Sequence, residues 1–443
     1  MFSLSQQTWT ILIGLLTIAF FLPAIGYEFA YDSYIQVGFD DFIHVHRHLW
    51  DVLTLRVLGM DVLDFNRPVN LVTLIFDSML WGRDTPGYHL TSILFHAGAA
   101  MLLFQFLHRT TGSLLASGIA TIFFAIHPLQ AESVVEVGNR EDVLATFFML
   151  AALNFALAFR PSEYRGVKLW GTGVGVIVCG LLAVASKESG AALPPILLTY
   201  WLVFRRKEPV TPWIGLIVTT GAVSGGFLAA RFILESQNSA IFAEKAQPIY
   251  HDLLGWLRIQ SNIYAAEMFR IVWPFNLCAD YNGYSLRNYT WWLSALGILS
   301  VIVLQVWGAL RFRLVALGIA VFWFSLLPVS NLIPIYKPMA DRFLDMPLAG
   351  VALMLTPLFG VVRRPATLAI SALPLLGLLG MRGWTQEQVW QSRVSLWTDT
   401  VEKNPFSYNG WLGIGYSQLD ANRLQEAAAG FQKAINGSQG KAA

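Results

Sequence analysis

The chain is a succession of long apolar runs separated by short polar segments. A helix needs roughly 20 apolar residues to cross a bilayer. Eleven runs approach that length, at about 8–27, 88–107, 112–128, 142–159, 168–186, 189–204, 212–234, 291–310, 313–332, 342–362 and 366–381. Two further segments are apolar but interrupted: Pro68–Trp81 carries Asp77, and Leu253–Trp273 carries Arg258, Glu267 and Arg270. Apolar faces broken by charge suit helices lying in the membrane interface, and both are assigned there. The pattern predicts an all-α, polytopic membrane protein.

The polar segments alternate in character. Every second one is short and basic: Arg109; Arg160, Arg165 and Lys168; Arg205, Arg206 and Lys207; Arg311 and Arg313; Arg363 and Arg364. The positive-inside rule places these on the cytoplasmic side. The N-terminus is then cytoplasmic as well. The first loop (28–87), the later loop (235–290) and everything after Met381 face the opposite side, the periplasm if the membrane is a bacterial inner membrane. The first apolar run lacks both a basic leader and a small-residue cleavage site, so it is expected to be a retained transmembrane helix.

The pattern changes after residue 382. Residues 383–443 are expected to form a separate helical segment, against a transmembrane domain over 1–382. Trp390, Val394, Trp397 and Val401 recur at helical spacing up to Asn404-Pro405, and Leu412, Gly413, Tyr416, Ala427, Phe431 and Ala434 follow. Small residues that let two helices pack closely give this stretch the look of a tetratricopeptide-like repeat; an ordinary helical hairpin is the plainer alternative. One repeat is too few to stand alone, so the segment should dock on the membrane domain, bind a partner or belong to a longer array.

Composition agrees with lipid as the main solvent. The 443 residues are 55% hydrophobic and only 13% charged, against about 25% charged for soluble domains. A net charge of +2 implies no strongly charged partner. No basic run is interleaved with aromatics, so nucleic acid is not an expected ligand. Cys179 lies in an apolar run and Cys278 in a polar loop, which argues against a disulfide framework.

The chemistry-bearing residues collect on the side opposite the basic loops. The first loop carries Asp32, Asp40, Asp41, His44, His46, His48 and Asn66-Arg67-Pro68; the second carries His127, Glu132, Glu136, Arg140, Glu141 and Asp142. Lys187-Glu188 sits between two apolar runs, and Asp280, Tyr281, Lys337, Asp341 and Arg342 come later. Ionisable groups at a membrane boundary are costly and usually functional. A carboxylate can deprotonate a hydroxyl, and Lys and Arg can bind a phosphate and stabilise its leaving charge. A lipid-phosphate-linked sugar would meet both needs. Plainer readings stand beside these. Asp40-Asp41 also reads, more plainly, as a solvated loop pair, and Lys187-Glu188 and Asp341-Arg342 also read as structural ion pairs. The alternating histidines lack partners at metal-ligand spacing. A divalent metal is compatible with the chemistry but not indicated. An ion pathway would need charges deep in the helices, and most spans are clean at their centres.

Six strings occur in one order: GYHLTSILFHA (Gly87–Ala97), FAIHPLQAESVVEVGNREDVL (Phe124–Leu144), SKESGAALP (Ser186–Pro194), WPFNLCADY (Trp273–Tyr281), MADRFLDMPLAG (Met339–Gly350) and WTQEQVWQSRVSLWTDTVEKNP (Trp384–Pro405). Together they resemble the transmembrane and tetratricopeptide-repeat (TMTC-like) O-mannosyltransferases and their bacterial relatives, along essentially the whole chain. That resemblance implies a GT-C glycosyltransferase fold. It also implies an inverting transfer of sugar from a polyprenyl-phosphate donor to a hydroxyl of a protein or glycan on the non-cytoplasmic face. The family's first loop carries an aromatic-Asp-Asp motif. The best-spaced match here is Tyr31-Asp32-Ser33, with Ser33 in place of the second acid; Asp40-Asp41 is an intact pair about eight residues later. The resemblance makes Asp32, or Asp40 and Asp41, the base at the acceptor hydroxyl, and gives His127 and Glu132 to the same site. Arg67 matches the family's Arg-Pro, and Lys187 and Arg342 are candidates for the donor phosphate on chemistry and resemblance together. The expected partners are the bilayer, the lipid-linked sugar, and a protein acceptor or partner on the C-terminal segment. The alternative is a non-catalytic scaffold of the same fold.

Overall fold

The computed structural model describes residues 5–60, 62, 64–236, 252–281, 291–332, 335, 337–362 and 364–439. Parts of the expected 235–290 loop, and Arg363 of the last basic loop, lie outside them. The described residues are helical throughout, with no strand. Eight helices are long and apolar enough to cross a membrane: Gln6–Gly26, Thr85–Thr111, Val137–Ala158, Val167–Ser186, Val210–Leu234, Trp291–Arg311, Asp341–Gly360 and Ala366–Val389. The protein is an integral membrane protein.

The other three expected spans hold shorter helices. Leu114–Ile126 stops at the His127-Pro128 turn, because the residue before a proline is pushed out of helical geometry. Leu193–Tyr200 starts on Pro194-Pro195 and unwinds into a π turn at Trp201–Arg205. Arg313–Leu326 ends against Pro328. The two interrupted segments are helices, Pro68–Trp81 and Leu253–Val272, and neither meets the criterion for a span.

Burial sorts the spans. Only 6% of the Trp291–Arg311 window is buried, against 61% for Val137–Ala158. The former therefore presents its leucines and valines to lipid, while the latter runs through the centre of the bundle. The helices Arg313–Leu326 and Asp345–Gly360 touch backbone to backbone. A Cβ on Gly318 would lie 2.6 Å from the Gly350 carbonyl oxygen, and one on Gly350 would lie 2.7 Å from that of Gly318. Small residues permit this approach between membrane helices; the Asp341–Leu344 turn leads into the second of them.

The helix Pro365–Val389 runs on beyond Met381 and delivers three tail helices, Arg393–Lys403, Tyr408–Asp420 and Leu424–Gln439. The last two form a hairpin turned by Asn422 in left-handed geometry, φ 57°, a conformation asparagine tolerates. The tail docks on the membrane domain. Trp390 and Trp397 join Phe21, Ala24 and Tyr31 in one buried apolar cluster. Lys403 donates to the Leu277 carbonyl at 2.7 Å, and Ser407 donates to Asp280 at 2.6 Å.

Candidate active site

A cavity of about 1220 Å³ opens where the first loop, the Lys187-Glu188 turn, the helix Val210–Ser236, the Lys337–Phe343 segment and the tail converge. Four of the site residues expected from sequence line it together, Asp32, Arg67, Lys187 and Arg342. Part of the lining is apolar, with Leu228, Phe232, Pro328 and Val329, and part comes from the tail, with Trp397, Asn409, Leu412 and Tyr416.

The second loop holds the cations in place from behind. Glu132, 3% exposed, accepts from the Arg342 guanidinium at 2.5 Å and from the Arg342 amide at 3.2 Å. Asp142 pairs with Lys187, and Glu141 lies 3.0 Å from Arg67. Arg67 is also tied to Asp64 at 2.7 Å. The pairs with Glu132, Asp142 and Glu141 join segments distant in sequence, and each holds a cation that lines the cavity. Buried ions need such partners, since an unpaired one costs several kcal/mol.

Asp32 begins a short helix, Asp32–Gln36. Its side chain is exposed onto the cavity, recessed among the residues that line it. Loss of bulk water pushes its carboxyl pKa up to about 7; Arg342 pulls against this, and Glu136, Asp64 and Glu141 add to it. A base that titrates near neutrality suits general-base chemistry.

The other sequence candidates lie elsewhere. Asp41 is exposed at the surface, paired with Arg83 at 2.5 Å, and Asp40 accepts from the Phe42 amide at 2.8 Å. His127 is buried outside the cavity. One ring nitrogen meets the Ile271 carbonyl at 3.0 Å, the other accepts from the Leu129 amide, and burial lowers its pKa to about 4. Glu132 stands behind Arg342 and does not line the cavity. His44 is used by Ser78 and the Val37 carbonyl, and His48 by the Phe42 carbonyl. Among the described residues no group of three His, Cys, Asp or Glu is arranged to hold a metal.

Sequence reasoning gave Lys337 no role and passed over two further cavity residues, Arg231 and Arg393. Lys337 stands 3.8 Å over the Tyr31 ring, and its ammonium has no hydrogen-bond partner among the described residues. Burial, then the neighbouring Arg342, pulls its pKa well below the usual lysine value. Arg231 pairs with Glu188 at 2.7 Å; it is the one charge in the apolar run 212–234, which was the available signal. Arg393 stacks 3.5 Å over Tyr34 and pairs with Asp420, which also accepts from the Tyr34 hydroxyl at 2.7 Å. These contacts close the tail over the first loop.

No family model matches the chain. Curated relatives do. A protein O-mannosyl-transferase of Caenorhabditis elegans is 24% identical over 95% of this chain and 61% of its own length. The protein O-mannosyl-transferase TMTC4 of Homo sapiens is 23% identical over 80% of this chain and 55% of its own length. For Tmtc3 of Drosophila melanogaster the figures are 22%, 83% and 48%. The chain thus spans about half to three fifths of the length of these relatives. Among solved structures, ArnT from Cupriavidus metallidurans bound to undecaprenyl phosphate aligns with a TM-score of 0.49 at 12% identity, covering 97% of this chain and 75% of that one. By sequence along nearly its whole length, this all-helical membrane protein resembles the TMTC-type protein O-mannosyl-transferases.

Proposed function

We propose that the protein is an inverting membrane glycosyltransferase that moves a sugar from a polyprenyl-phosphate donor to a hydroxyl acceptor, on the membrane face opposite the basic loops. The observation that carries this reading is the meeting of the Asp32 carboxylate with Lys187, Lys337 and Arg342 in a single cavity. The cations suit the phosphate, both when it binds and when it leaves with its charge. The apolar wall of Leu228, Phe232 and Val329 suits the first isoprene units. The relatives' names supply mannose as the sugar to try first.

In this reading the acceptor hydroxyl lies against Asp32. Its oxygen bonds to the anomeric carbon as the bond from that carbon to the phosphate oxygen breaks. The hydroxyl proton passes to Asp32, and polyprenyl phosphate departs held by the cations. Attack opposite the leaving group inverts the anomeric centre. The tail wall, with Trp397, Asn409 and Tyr416, is the surface left for the acceptor.

The test is mannose transfer from undecaprenyl-phosphate mannose to solubilised cell-envelope proteins, by the full chain in lipid nanodiscs. Transfer should rise with pH through about 7, where Asp32 gives up its proton. Asp32→Asn should abolish transfer while the protein stays folded. Full transfer by that variant would remove Asp32 from the mechanism. A non-catalytic scaffold would transfer nothing at any pH.

A further inference from the structure

Along the chain Asp32 has no acidic neighbour, because Ser33 follows it and is buried, 1% exposed. In space it has one. The Glu136 carboxylate reaches across from the second loop and accepts from the amides on both sides of Asp32. Its Oε1 takes the Ser33 N–H at 2.7 Å, and its Oε2 takes the Tyr31 N–H at 3.2 Å. Oε1 also accepts from the Gly138 amide at 3.2 Å. Gly138 completes the fit: a Cβ there would lie 3.0 Å from Glu136 Oε1, 3.0 Å from the Ser33 nitrogen and 3.1 Å from Asp32 Cβ.

A carboxylate accepts on both oxygens, whereas a carboxamide accepts on one and donates on the other. The grip on both Tyr31 and Ser33 therefore calls for an acid. A second acid at position 33 would stand beside Glu136, against which its amide already lies, and two carboxylates that close would repel.

We propose that Glu136 is the second carboxylate of this site, a positioning residue that aims Asp32 into the cavity. It supplies from the second loop the negative charge that an acid at position 33 would otherwise supply. The inference rests on the transferase reading of Asp32. During attack the acceptor's proton moves to Asp32, and Glu136, whose own carboxyl pKa is raised by burial to about 7 against the Ser33 and Gly138 hydrogen bonds, makes that carboxylate a better base once Glu136 is ionised. The charges facing Asp32 are Arg342, which opposes protonation, and Glu136, Asp64 and Glu141, which favour it.

The test compares the wild type, Glu136→Gln and Glu136→Gln with Ser33→Asp, all as full chains in nanodiscs with undecaprenyl-phosphate mannose as donor. Glu136→Gln should lower kcat roughly tenfold and leave the donor KM within about twofold. It should also move the ascending pH limb toward acid by about half a unit, since a like charge has gone. Adding Ser33→Asp should recover about a third of the lost rate. In the Glu136-containing protein, Ser33→Asp should instead slow transfer. Glu136→Asp, which keeps the charge but draws it back by one methylene, is made alongside. It should slow turnover with a smaller pH shift, so the comparison survives if Glu136→Gln is not recovered folded. Wild-type kcat and an unmoved limb in the Glu136 variants would overturn the proposal. So would a loss without a pH shift that Ser33→Asp does not relieve, the mark of a purely structural clamp. If the wild type transfers nothing, the transferase reading fails by itself. Infrared titration of the Asp32 carboxyl, identified by its absence in Asp32→Asn, then decides. A lower midpoint in Glu136→Gln supports the pairing, and an unchanged one refutes it.

Discussion

Arg342→Met separates what Arg342 does for the fold from what it does for the donor. The guanidinium lies 2.5 Å from Glu132, and the two side chains are 11% and 3% exposed. Removing it leaves a buried carboxylate with only the amide of residue 342 as partner among the described residues, a loss of about 3–5 kcal/mol for a broken buried pair. The apparent melting temperature in nanodiscs should fall accordingly. Adding Glu132→Gln removes the stranded charge and keeps a carbonyl for that amide. The double variant should recover most of the loss, within about 1 kcal/mol of wild type. Affinity for undecaprenyl phosphate should behave differently. A charge-assisted hydrogen bond to phosphate is worth roughly 1.5–3 kcal/mol, so binding by native mass spectrometry should weaken about 10- to 100-fold. It should stay weak in the double variant. If the double variant regains both melting temperature and lipid affinity, Arg342 is a structural residue and the phosphate assignment is wrong.

Lys337→Met should act with the opposite sign on stability. It removes a buried cation that has no carboxylate partner among the described residues, so the melting temperature should hold or rise while undecaprenyl phosphate affinity drops roughly tenfold; a drop in melting temperature with unchanged affinity would contradict this. Asp40→Asn and Asp41→Asn act off the cavity, and transfer should stay within about twofold of wild type, as for surface changes generally. A tenfold loss in either would return the acidic pair to the mechanism.

The helical, membrane-embedded character was legible because it rests on composition over whole segments, which no single residue overturns. The three shortened helices were harder. Pro128, Pro194-Pro195 and Pro328 are visible in the sequence, but apolar run length says nothing about where a proline ends a helix. Within the site, Asp32, Arg67, Lys187 and Arg342 were found because charges beside apolar runs are costly and therefore conspicuous. The roles of Glu132 and His127 were not readable: both come from the second loop, and only the fold shows that one sits behind Arg342 and the other is spent on backbone. Glu136 was one acid among several in its loop; its contacts with Tyr31 and Ser33 bridge more than a hundred residues. The closure of Tyr34 with Asp420 spans nearly the whole chain, and no local pattern encodes it.

The central claim is that one cavity holds the lipid phosphate against Lys187, Lys337 and Arg342 with the sugar beside Asp32. A cryo-electron microscopy structure of the Asp32→Asn protein in nanodiscs, loaded with undecaprenyl-phosphate mannose, tests it most directly. The account predicts phosphate density within about 3 Å of the Lys337 and Arg342 nitrogens, the lipid along Leu228 and Phe232, and the anomeric carbon facing residue 32. Phosphate bound elsewhere, or a cavity without lipid at saturating donor, would contradict it.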